Sequence, residues 1–273
     1  ASSPTIVRSE STNKIVAVLE ELDAMVTSIP PLDIQGRFGN PAFKTWHAKF
    51  TEDASKLIKT VVPESNHSAV VELIPYLLDS FGNPIRVDYG SGHELAFVAF
   101  LCCLTLLGVF KVEDSQALVL VVFKRYLRLV RRVQTTYKLE PAGSRGAWGL
   151  DDHQFLCYLW GAAQLIGNPE DVSPNAITDE SACTRLCDDY LFFDAVHHIR
   201  KVKSGPFFEH SPYLYDISAV AEWTKVNKGL NKMFDNEVLY KLPIMQHFFF
   251  GSLLSIDLPP VVKKVETRLL PPN

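Results

Sequence analysis

Strand-like alternation is nearly absent from this 273-residue chain, which argues against a sheet-based α/β fold. Gly-Lys-Ser/Thr does not occur, removing the Walker type of phosphate cradle. No Gly-x-Ser-x-Gly elbow is present, so a strand-borne serine nucleophile has no place to stand. No His-x-x-x-His or Cys-x-x-Cys pair supplies an autonomous zinc site. The longest apolar run, Leu95 to Phe110, has 16 residues and includes Thr105 and Gly108. A spanning helix needs roughly 20, so a buried central helix is expected and no membrane association. A basic field is missing too: 27 Lys and Arg against 31 Asp and Glu give a net charge of -4, which excludes nucleic acid as the expected partner. The one basic cluster, Lys124 to Arg132, alternates with apolar residues at helical spacing and reads as the solvated face of a helix. The five cysteines are odd in number, with Cys102 and Cys103 adjacent. That pattern and the lack of a secretory signal point to reduced thiols serving as small core residues, in cytoplasm or nucleus.

What is present is helical. Ile15, Leu19, Leu22, Met25, Val26 and Ile29 share one helical face, stopped by Pro30-Pro31. Asn40-Pro41 reads as N-cap and first turn of a helix reaching Pro63. Further helices are expected at 68–80 with a kink at Pro75, 113–137, 153–166, 179–202, 216–230 and 231–240. An ordered loop, Gly205 to Pro212, separates two of them. The expected division is one helical domain over residues 1–258 and a proline-rich arm over 259–273.

The densest chemistry lies from Arg86 to Glu94, Arg-Val-Asp-Tyr-Gly-Ser-Gly-His-Glu, directly before the apolar helix. Closely spaced glycines beside a helix N-terminus suit an anion such as a phosphate. Ser91 and Glu94 also fit a capping box. A second glycine-rich loop, Pro141 to Gly149, leads into Asp151 and Asp152. Oxygen ligands there suit Mg²⁺, which needs one or two carboxylates plus phosphate oxygens, while Asp151 also serves as a plain N-cap. His197-His198 and His247 read as structural.

These motifs together resemble the phosphotyrosyl phosphatase activator family, the activators of protein phosphatase 2A. The resemblance runs through Arg37-Phe-Gly-Asn-Pro-Ala-Phe-Lys-Thr-Trp46, Val87 to Glu94, Ala99 to Cys103, Glu140 to Ser144, Trp148 to Asp152, Gly205 to Ser211, Trp223 to Asn227 and Gln246 to Leu254. It implies an all-α fold, a single multi-helix domain with core, lid and linker parts around a deep cleft. The implied partner is the catalytic subunit of type 2A or related phosphatases, activated with ATP and Mg²⁺. The implied enzyme activity is peptidyl-prolyl cis/trans isomerisation on a proline-containing peptide, with a peptide-bridged homodimer among the assemblies. The alternative is a stand-alone prolyl isomerase or a non-catalytic phosphatase-binding chaperone. Amide rotation crosses a barrier of about 20 kcal/mol without a nucleophile or proton transfer, so a missing triad is no objection.

By motif, Arg86, Ser91, Gly92, Ile244, Met245 and Phe249 resemble the nucleotide-contacting positions, and Gly146 and Asp152 those beside magnesium. Ala147, Glu209, Gly229 and Met233 fall on the implied phosphatase-facing or peptide-facing surface. No catalytic residue is assigned. The chain departs from the family at Phe249, where relatives often carry lysine, and relatives usually have a further helical segment before the one containing Leu19.

Overall fold

The structure, a computed structural model, describes residues 6–34, 39–143, 146 and 149–256. Helix α1 (Glu10–Ser28) begins where Ser9 Oγ accepts from the Thr12 N–H at 3.2 Å. Asn40 Oδ1 accepts from the Ala42 N–H at 3.0 Å and Pro41 is already helical, so α2 (Ala42–Val61) starts as the Asn-Pro pair predicts. A 3₁₀ stretch (Glu64–Ala69) leads into α3 (Val70–Asp79), which continues through Pro75. Phe43, Trp46 and Phe50 of α2 pack with Phe81 and Tyr137 into an aromatic core. Helix α4 (Ser91–Leu106) is buried along most of its length, as its apolar sequence requires.

The helix expected at 113–137 runs without a break but changes type along its length. A 3₁₀ turn (Val112–Asp114), α5 (Ser115–Ala117) and a π-helical turn (Leu118–Phe123) lead directly into α6 (Lys124–Tyr137). Three valines crowd that turn, and β-branched side chains fit a regular helical turn less readily. The basic stripe on α6 is not simply solvated. Arg131 is buried and donates to Asp194 at 2.7 Å, while Arg125 and Arg132 both reach Asp23 of α1. These cations clamp neighbouring helices together.

The second half comprises α7 (Leu156–Gln164), α8 (Glu180–Leu186), α9 (Leu191–Val202), α10 (Phe207–His210), α11 (Pro212–Ser218) and α12 (Trp223–Phe234). A π-helical turn (Asp235–Leu239) and α13 (Leu242–Met245) follow. The expected 179–202 helix is split because α7 captures its middle. Gln164 accepts from the Leu191 N–H at 3.0 Å and donates to the Asp189 carbonyl at 2.7 Å. A Cβ on Gly161 would meet the Phe192 nitrogen at 2.3 Å, so only glycine allows that approach. Trp223, hydrogen-bonded to the Val172 carbonyl at 2.7 Å, moves the next helix start from the expected 216 to 223. The 205–212 loop carries the single turn of α10.

Helix α2 packs on α1 and α3, α3 on α4, and α7 on α9 and α12. The sole regular β structure among the described residues is a two-stranded parallel pair, β1 (Asp88–Tyr89) and β2 (Glu140–Pro141). Among the described residues no helix is long and apolar enough to cross a membrane. All five cysteines are free thiols, but only Cys103, Cys157 and Cys183 are buried; Cys102 is exposed and Cys187 half-buried. The arm at 259–273 lies outside the described residues.

A candidate cleft between two glycine-bearing loops

Residues 86–94 and 140–155 are brought together by the β pair, in the register Asp88 with Glu140 and Tyr89 with Pro141. The Glu140 N–H donates to the Val87 carbonyl at 3.0 Å and the Ala142 N–H to the Tyr89 carbonyl at 2.8 Å. A Cβ on Gly90 would stand 3.0 Å from the Ala142 carbonyl oxygen, so glycine there permits the close pairing. Beneath it, the buried Tyr89 and Tyr126 hydroxyls lie 2.7 Å apart, and Tyr126 donates to the Ser80 carbonyl at 2.6 Å.

The capping box expected at Ser91 and Glu94 does not form. Gly90 holds the N-cap position, with no side-chain cap, and Ser91 is the first helical residue. Glu94 is wholly buried and serves another helix: one carboxylate oxygen accepts from the Phe155 and Leu156 N–H groups at 2.8 and 2.9 Å. The helix expected from His153 therefore starts at Leu156, capped across the fold. Asp151 instead accepts from the His153 and Gln154 N–H groups and from the Tyr158 hydroxyl, holding the turn before it. Burial raises the Glu94 pKa to about 8, outweighing the two N–H donors that favour its ionised form.

A cleft of about 990 Å³ opens beside the α4 N-terminus. Arg86, Ser91, Gly92, Ile244 and Phe249 all line it, as do Asp79, Asp88, His93 and Lys241. Met245 packs against the hydrophobic core and is not among the lining residues. The Arg86 Nε donates to Asp88 at 2.7 Å. His93 Nδ1 lies 2.6 Å from the Asp79 carbonyl oxygen and 3.3 Å from its carboxylate, with Nε2 3.9 Å from Asp88. Burial alone would lower the His93 pKa, but the two aspartates reverse this and raise it to about 9. Its imidazolium therefore adds positive charge at the cleft floor at neutral pH. A Cβ on Gly92 would meet Ile244 at 3.2 Å, so the glycine keeps the passage beside the helix end open.

A smaller hollow of about 60 Å³ adjoins it, sharing Ser91, Ala142, Gly143 and Lys241. Asp151, Asp152 and Met233 also line it. The Asp152 carboxylate lies 2.7 Å from Lys203 Nζ. Gly146, at φ +60, accepts from the Gly149 N–H at 3.0 Å. Among the described residues, no cluster of three or more His, Cys, Asp or Glu side chains is gathered for a metal ion. Glu209 is exposed on α10, and Gly229 is exposed within α12 with open space at its Cβ position. Ala147 lies outside the described residues.

Sequence reasoning missed Lys241, Asp79 and Phe248 in the cleft. Lys241 sits between a π-helical turn and a four-residue helix, where no spacing rule marks it. It also missed the clasp behind the wall: Tyr76 donates to the Phe249 carbonyl at 2.7 Å, and Glu72 accepts from Ser252 and the Leu253 N–H. Only the clustering of Gln246-His-Phe with Gly251-Ser-Leu-Leu in the sequence hinted that this segment matters.

The family model described as "Phosphotyrosyl phosphate activator (PTPA) protein" matches residues 2–256. The chain is 44% identical over 259 residues to the probable serine/threonine-protein phosphatase 2A activator 1 of Dictyostelium discoideum, covering 94% of this chain and 80% of that protein. It is 45% identical over 253 residues to the serine/threonine-protein phosphatase 2A activator 1 of Schizosaccharomyces pombe, with 92% and 77% covered. The crystal structure of the PP2A phosphatase activator Ypa1 PTPA1 superposes with a TM-score of 0.85 at 38% identity, covering 93% of this chain and 81% of that one.

Proposed function

We propose that this chain, which belongs to the phosphotyrosyl phosphatase activator family, activates the catalytic subunits of type 2A serine/threonine phosphatases, using ATP and Mg²⁺ in a cleft that the phosphatase completes. The observation that carries the reading is the β pair, which makes two loops some 50 residues apart into adjoining walls of one opening. Among the described residues of the two loops no nucleophile has a base beside it. A shared site completed by a partner follows more readily than phosphoryl chemistry by this chain alone.

The donor set fits a nucleotide triphosphate. The first N–H groups of α4 have no intrahelical acceptor and face an opening that Gly92 leaves clear. Lys241 would supply positive charge for phosphate oxygens, while Arg86 and the His93 imidazolium balance the Asp79 and Asp88 carboxylates that share the cleft. Lys241 offsets the cation that Phe249 fails to provide. Ile244, Phe248 and Phe249 offer apolar surface for a base. The Asp152 carboxylate and the Gly146 carbonyl would hold Mg²⁺, and that ion would supply charge neutralisation to phosphate oxygens at the mouth.

In this reading prolyl isomerisation is the chemical act of the cleft. The chain's contribution is to hold a twisted amide better than a planar one, through apolar contact and directed N–H groups, with no proton transferred. The half-exposed rings of Phe248 and Phe249 and the α4 N-terminus would serve it when no nucleotide holds them.

The test is phosphatase capture and activation with and without ATP and Mg²⁺, comparing wild type with Asp152→Ala. Asp152→Ala is expected to abolish nucleotide-dependent activation while circular dichroism shows unchanged helix content. Retained activation removes the magnesium role. Capture that ignores nucleotide favours a non-catalytic chaperone, and no capture at all leaves the stand-alone isomerase.

A further inference from the structure

We infer that the groove between α1 and the start of α6 is a docking site for an acidic peptide of another protein, one that sets an apolar side chain between carboxylates. Helix α1 packs on α6 and on the π-helical turn before it, and a groove of about 340 Å³ follows their seam. Val16 of α1 with Leu120 and Val121 of the π-helical turn give it a half-buried apolar strip. Arg8, Lys124, Arg125 and Arg128 stand around that strip, and Glu20 is the only carboxylate among the lining residues. Arg125 is balanced by Asp23 at 2.6 Å. Lys124 donates to the Asp188 carbonyl, which leaves its charge in place. Arg8 and Arg128 are exposed and form no ion pair among the described residues. The basic stripe on α6 is thus divided: Arg125, Arg131 and Arg132 hold neighbouring helices, while Lys124 and Arg128, one turn apart, face the groove. Their field is opposite in sign to the net charge of -4 on the whole chain.

Charge complementarity makes the occupant acidic, and the sequence places its origin outside this chain. The segments beyond the described residues hold no acidic run: residues 257–273 carry Lys263, Lys264 and Arg268 against Asp257 and Glu266, and residues 35–38 and 144–145 add Arg37 and Arg145. Single-stranded nucleic acid binds by stacking its bases on aromatic rings, and no aromatic residue lines this groove. A membrane surface needs apolar side chains that project, whereas here the apolar strip is half-buried between exposed Arg8, Glu20 and Arg128. A peptide meets both conditions. Its carboxylates lie over the three uncompensated cations, and one aliphatic side chain covers Val16, Leu120 and Val121.

The probe is a fluorescein-labelled peptide, Glu-Glu-Leu-Glu-Glu, titrated with the full chain by fluorescence anisotropy at low and at physiological salt. Binding is expected, and to weaken as salt rises. Combining Arg8→Glu with Arg128→Glu, both at exposed positions, should weaken it about tenfold or more, because like charges then face the peptide, with helix content unchanged by circular dichroism. Glu20→Gln, which removes the one opposing carboxylate, should tighten binding about two- to fivefold. A probe with glycine in place of its leucine should bind more weakly. Lys241→Ala should leave binding unchanged, since that cation lines the other cleft. Equal binding by wild type and the doubly charge-reversed chain overturns the proposal, and loss of binding in Lys241→Ala places the peptide in the other cleft. Equal binding of the glycine probe, or of an oligouridine, reduces the groove to an unselective anion patch and overturns it too. A wild-type dimer that the double charge reversal dissociates in sedimentation makes a second copy of the chain the occupant, against the proposal.

Discussion

The two glycine-bearing loops meet strand to strand, yet they are anchored by different chemistry. Side chains of other helices hold the first: the Tyr89 hydroxyl meets that of Tyr126 on α6, and His93 lies between Asp79 of α3 and Asp88. Carboxylates hold the second: Glu94 of α4 accepts from the start of α7, Asp151 closes its own turn, and Asp152 faces Lys203 beyond α9. A hydroxyl pair has no charge to lose near neutrality, whereas a buried carboxylate makes its hold depend on protonation.

The sharpest way to test this difference is Glu94, which connects the two loops. Its pKa in the folded protein is raised to about 8 from the ordinary 4.5. Between those values the folded state holds a proton that the unfolded state has lost, so the Glu94 contribution to stability falls as pH rises. Glu94→Gln keeps an acceptor for both N–H groups and cannot ionise. Relative to wild type it should gain stability from pH 4.5 to 8, by about 1.4 kcal/mol per pH unit at most and a few kcal/mol in all. His198, whose pKa burial lowers to about 4, works in the opposite sense below pH 6.5, so the quantity to measure is the difference between the two proteins in urea unfolding. A pH-independent difference would show that Glu94 is ionised throughout.

Tyr126→Phe tests the anchoring of the first loop. It removes the hydroxyl that lies against Tyr89 and donates to Ser80, leaving buried polar groups unmatched, and should cost about 1–3 kcal/mol. Hydrogen exchange is expected to rise across residues 80–94 and not across 150–160. Exchange rising equally in both would break the contrast.

The smallest expected effect is on the second half. Gly229 lies inside α12 with open space where a Cβ would stand, so Gly229→Ala should stabilise the protein by about 0.5–1 kcal/mol in thermal unfolding. A gain in stability with weakened phosphatase capture would place the α12 surface in the partner interface. A gain with unchanged capture would leave that surface outside it.

Much of the fold was legible because helix signals are local. Asn40 caps as its side chain dictates, and the apolar run of α4 could only be buried. The cleft was legible in its glycines: a Cβ on Gly90 or Gly92 would press on Ala142 or Ile244 at 3.0 or 3.2 Å. The errors arose where a distant group overrode a local rule. Ser91 and Glu94 have the spacing of a capping box, but Glu94 gains more by capping α7 in the interior, where the N–H groups have no water. The stretch 179–202 has helical periodicity throughout, but contact with Gly161 and Gln164 breaks it.

The sequence by itself determined that this protein is helical, that Asn40 opens one helix and the apolar run another, and that two glycine-rich segments could approach one another closely. Those features depend on backbone sterics, capping and periodicity within a few residues. Only the tertiary structure decided that the segments pair, that Glu94 serves the far helix, that Lys241 lies at the join of the two hollows and that Lys203 holds Asp152. Each of those depends on which side chains meet across tens of residues, and no local pattern encodes such meetings because the energy that selects them comes from burying the whole core at once.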